Sequence, residues 1–101
     1  MALIKGIEME LGGEVRTIPP LCLADLERLL PSVMEIQKPG SLFNAEMIGK
    51  MADVVQSSLK RNYPNVTIDE VKQWVDMGNF REVFSAIMGV NGMEKKKPGE
   101  A

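Results

Sequence analysis

The chain has no histidine and a single cysteine, Cys22. A thiol nucleophile needs a base beside it, and imidazole is missing. One cysteine excludes an internal disulfide and fits a reducing compartment. Zinc sites built from cysteine and histidine are excluded too, and no acidic loop has calcium-ligand spacing. Aromatic residues make up only 5% of the chain, and eight methionines take over much of the apolar filling. Methionine is flexible and polarizable, and serves irregular cores and adaptable contact surfaces alike. No apolar run approaches membrane-spanning length, and no basic segment followed by an apolar one opens the chain. A soluble, cytoplasmic protein with no membrane partner is the expectation. Twelve basic against fourteen acidic residues give a net charge of -2. That balance argues against nucleic acid as the main partner.

What is present reads as an α+β protein, mainly α: an N-terminal β-hairpin followed by about four helices. With 101 residues, the expectation is one domain over 1–92 and a mobile tail over 93–101 that carries three lysines. Apolar and acidic residues alternate in Ile7-Glu8-Met9-Glu10-Leu11, the pattern of a half-buried strand. Gly12-Gly13 permits the positive φ angles of a tight turn, and Val15-Arg16-Thr17-Ile18 supplies the partner strand. Pro19-Pro20 ends the hairpin. Because the glycine pair leads into a strand and not a helix, a phosphate-cradling loop is excluded and no cofactor is expected. A lone hairpin is marginal, so its edge invites self-association.

Leu23, Leu26, Leu29 and Leu30 recur at helical spacing, and Pro31 should stop or kink that helix before Val33 and Ile36 resume it. Lys38-Pro39-Gly40-Ser41 is a loop by composition. Phe43, Met47, Ile48, Met51, Val54, Val55 and Leu59 then predict the longest amphipathic helix, roughly 18 residues or about 27 Å. Asn44 falls on its solvated face.

Pro64 stops that helix near Tyr63. Thr67 has the chemistry of an N-cap, with Glu70 completing a capping box and Val66 and Val71 placed as a hydrophobic staple. A helix over 68–77 with Val71, Trp74 and Val75 inward should end at Gly78. Asn79, with Glu82, should cap a last helix carrying Phe80, Val83, Phe84, Ile87 and Met88, ended by Gly89, Asn91 and Gly92.

Two short helices meeting at Met77-Gly78-Asn79 raise a DNA-binding helix-turn-helix. Between 68 and 88, however, four acidic residues face only Lys72 and Arg81, too few cations to hold phosphates. The carboxylate pairs Glu8/Glu10 and Asp69/Glu70 read as a wet strand face and a helix start. No enzyme assembles from these residues. A protein-binding module is the class that remains. Trp74, Met77, Phe80 and Phe84, together with Phe43, Met47 and Met51, are its candidate contact residues.

The order Leu11-Gly12-Gly13, Ile18-Pro19-Pro20-Leu21 and Leu26-Glu27-Arg28-Leu29 resembles the tail assembly chaperones of long-tailed bacteriophages. Leu59-Lys60-Arg61-Asn62-Tyr63-Pro64-Asn65-Val66-Thr67 and Val75-Asp76-Met77-Gly78-Asn79 are similar to that family's second half. The resemblance covers roughly residues 4 to 92 and departs at Cys22, where a serine cap would be expected. It implies a protein that binds the tape measure protein, keeps it soluble until tail tube subunits polymerise around it, and contacts the tail tube protein. The alternative expectation is a structural adaptor or connector subunit of a phage particle.

Overall fold

The computed structural model describes residues 3–38 and 44–89. The expected loop at 39–41, Phe43, the helix stop at Asn91 and Gly92, and the tail lie outside these residues. The order is β1 (Ile7–Leu11), β2 (Glu14–Ile18), α1 (Leu23–Gln37), α2 (Ala45–Leu59), α3 (Ile68–Trp74) and α4 (Phe80–Met88). This is an α+β fold, mainly α, with the hairpin first and four helices after it.

Gly12 and Gly13 take φ of 66° and 83°, the double positive φ of a two-residue hairpin loop. The strands pair antiparallel with Ile7 opposite Ile18, Met9 opposite Arg16 and Leu11 opposite Glu14. Leu11 and Ile18 are fully buried, Ile7 and Met9 half-buried, and Glu8 and Glu10 exposed. On β2 the register turns Arg16 toward the helices and leaves Val15 in solvent.

Helix α1 runs through Pro31 without ending. Proline forfeits one backbone bond but already has helical φ, and buried Leu29 and Val33 hold the turns on either side. Cys22 occupies the N-cap position and makes no side-chain cap bond. The buried stripe is Leu29 and Val33, flanked by half-buried Leu26 and Ile36. Leu23 and Leu30, expected on it, are exposed instead. The leucines span more arc than one neighbour covers, and α2 lies on the 29/33 side.

Helix α2 is shorter than the expected span because Asn44 ends it. Its Oδ1 accepts the Met47 N–H at 2.8 Å, so Asn44 is a cap and not a solvated-face residue. Ile48, expected inward, is exposed at the first turn, while Met47, Val54, Val55, Ser58 and Leu59 are buried. This helix is the centre of the fold, packing against α1, α3, α4 and β2. Lys50 on α2 pairs with Glu35 on α1 and lies 3.9 Å from Glu46. The hydrogen bond that Lys50 Nζ donates to the Glu35 carboxylate is the main reason the ammonium titrates above the ordinary lysine value.

The capping box at α3 forms as expected. Glu70 N donates to Thr67 Oγ1 at 3.1 Å, and Thr67 N donates to Glu70 Oε1 at 3.0 Å. Val66 and Val71 are both in the core. The helix nevertheless ends at Trp74, not Met77. Asp76 Oδ1 accepts from Gly78 N at 2.8 Å and Asn79 N at 2.9 Å, folding 76–79 into a turn. Asn79 makes no cap bond to its own helix. Its amide faces backward, accepting from Asp76 N at 2.9 Å and donating to the Trp74 carbonyl at 3.1 Å. Helix α4 ends on Gly89 in the left-handed region, φ 75°.

Candidate interaction surface

The segment from Ser58 to Tyr63 is a polar clasp on the hairpin. Ser58 Oγ, fully buried, donates to the Pro19 carbonyl. Arg61 donates to the Pro20 carbonyl. The Asn62 amide pairs with both backbone groups of Ile4, at 2.7 and 3.0 Å, and also donates to the Thr17 carbonyl at 3.3 Å. Thr17 N donates to the Tyr63 hydroxyl at 2.8 Å. The turn expected to organise the helices therefore also holds the sheet.

Trp74 belongs to the same assembly. A Cβ on Gly12 would overlap its indole ring. The Arg16 guanidinium lies 4.0 Å from the Trp74 ring centroid and 5.8 Å from that of Tyr63, and its Nε donates to the Leu11 carbonyl at 2.9 Å. The cation is thus received by two aromatic faces and a carbonyl. Arg16 was not anticipated; strand alternation after Gly13 would have put it on the inner face.

The seven candidate contact residues divide accordingly. Trp74 is half-buried against the hairpin, and Met47 is in the core. Phe80 and Phe84 stack with centroids 5.5 Å apart and are half-buried, and Met51 is half-buried on α2. Met77 projects from the α3–α4 turn with 80% of its surface exposed. Phe43 lies outside the described residues. The structure brings Phe80 and Phe84 together on α4, sets Trp74 against the hairpin and Met77 in the α3–α4 turn, and leaves Met47 and Met51 on α2.

A second apolar surface went unanticipated. Leu23, Leu30 and Met34 are 82%, 44% and 62% exposed. Spaced seven and four apart on α1, they form one stripe along its outer side. The signal was in the sequence, since these residues plus the buried set make α1 apolar over nearly half its circumference.

Among the described residues no group of three His, Cys, Asp or Glu could hold a metal ion. No described helix is long and apolar enough to cross a membrane. Comparison of the chain with models of known families, with curated proteins and with solved structures finds no match.

Proposed function

We propose that this chain is a tail assembly chaperone of a long-tailed bacteriophage, acting in the host cytoplasm. It binds the tape measure protein and keeps it soluble while the tail tube assembles. The client comes from the resemblance of the Leu11-Gly12-Gly13 and Leu59–Thr67 stretches. The observation that carries the binding chemistry is the uncovered stripe of Leu23, Leu30 and Met34 on α1. A long helical client aggregates unless its apolar stripes are covered, and a helix with an exposed stripe covers them side by side. Exposed Met77, in the α3–α4 turn, adds an adaptable contact. Many copies along one client gain by avidity while each remains displaceable by the tail tube protein, the second partner in this reading.

The test is co-expression with the tape measure protein. The expected result is that the client moves from the insoluble to the soluble fraction and co-purifies with the chain. The double substitution Leu23→Asp with Leu30→Asp abolishes this while leaving the helical circular dichroism unchanged. Unchanged client solubility with the wild-type chain sinks the proposal.

A further inference from the structure

The two edges of the hairpin differ. Leu11 and Glu14 flank a two-residue loop, so they exchange ladder bonds, and alternation along an antiparallel pair then fixes the rest. The backbone groups of Ile7, Met9 and Leu11 point toward β2; those of Glu8 and Glu10 point away from it. On β2 the outward groups belong to Val15 and Thr17, and Thr17 is closed off. Its N–H donates to the Tyr63 hydroxyl and its carbonyl accepts from Asn62. On β1, no hydrogen bond from another described residue reaches Glu8 or Glu10.

Side chains add two constraints. Glu8 and Glu10 stand exposed on the outer face, whereas Ile7 and Met9 on the inner face are only half-buried. An added strand therefore meets acid on one side and partly covered apolar side chains on the other. A second copy fits badly. Antiparallel β1 strands that use these outward groups must set Glu8 opposite Glu8, Glu10 opposite Glu10, or Glu8 opposite Glu10. Every such register places carboxylates directly across from one another, which is destabilising.

We infer that the outer edge of β1 is a docking edge for an extended segment of a partner polypeptide carrying Lys or Arg at alternate positions with apolar residues between. The ladder supplies affinity, the glutamates select basic side chains, and Ile7 and Met9 receive the apolar ones. This inference is independent of the client proposed for α1.

The experiment is an NMR titration of the full chain, labelled with nitrogen-15, using a capped peptide of alternating Lys and Val. A peptide with Glu in place of Lys and the Lys peptide N-methylated on alternate residues are the comparisons. The Lys peptide should shift the amides of Glu8 and Glu10 and bind on the order of tenfold more tightly than the Glu peptide. N-methylation should abolish binding, which simple charge attraction would survive. The double variant Glu8→Lys with Glu10→Lys should reverse the preference. Equal binding of both peptides, shifts confined to other residues, or undiminished binding of the N-methylated peptide overturns the inference. So do concentration-dependent shifts of the Glu8 and Glu10 amides in the chain alone, which would assign the edge to a second copy.

Discussion

Tyr63 illustrates how much one hydroxyl can hold. Its oxygen is the acceptor for Thr17 N–H, an otherwise unpaired donor on the outer side of β2. Tyr63→Phe keeps the ring beside Arg16 and strands that donor, so urea unfolding should show a loss of about 1–2 kcal/mol. Arg16 depends on the same ring and on Trp74. Lysine cannot reproduce a planar cation laid on an indole while also donating from Nε. The chain has a single tryptophan, so its fluorescence reports this contact directly. Arg16→Lys should shift the Trp74 emission and lower stability by about 1 kcal/mol.

At the level of elements, α1 carries its own handicap. Pro31 lies inside the helix, exposed, with no backbone N–H to give. Pro31→Ala restores that bond and should raise stability by about 1–3 kcal/mol, read as a higher urea midpoint. Elements whose signals lie within a few residues were legible in advance. Gly12-Gly13 makes its turn, Thr67 and Glu70 make their box, and Gly89 closes α4, because each depends only on near neighbours. Asp76-Met77-Gly78-Asn79 was misjudged although local. Aspartate two and three residues before free N–H groups is itself a turn-former, and it ends α3 at Trp74 where Gly78 was expected to. The face of α1 was not legible, since Leu23 and Leu29 are chemically equal until the position of α2 separates them. Of the candidate contacts, Met77 was expected at a helix end, and its exposure follows from the Asp76 turn that carries it out of α3. Trp74 was not readable as a hairpin anchor, because Gly12 and Arg16 lie far from it in sequence.

Across the whole molecule, α1 divides its apolar side chains between the core and the surface. Leu30→Gln with Met34→Gln should cost less than about 1 kcal/mol, because both side chains keep much of their surface in solvent, 44% and 62%. Val33→Ala, one position from Met34, should cost about 1.5–3 kcal/mol through lost burial and the cavity left behind. Thermal unfolding of the two variants side by side checks the partition. Equal losses would mean that the outer stripe is covered in solution.

The clasp of Ser58 to Tyr63 on the hairpin joins residues 39 to 58 positions apart. During synthesis the residues of the hairpin are therefore made long before those that fasten it. At roughly 5–20 residues per second, a separation of about forty residues is a wait on the order of 2–8 s. For that interval neither edge of the hairpin sequence has the clasp that closes one of them in the folded chain. The glutamates of β1 already repel an identical strand at that stage. Their charge thus guards the chain in its first seconds, before Tyr63 and Asn62 arrive to seal the other side.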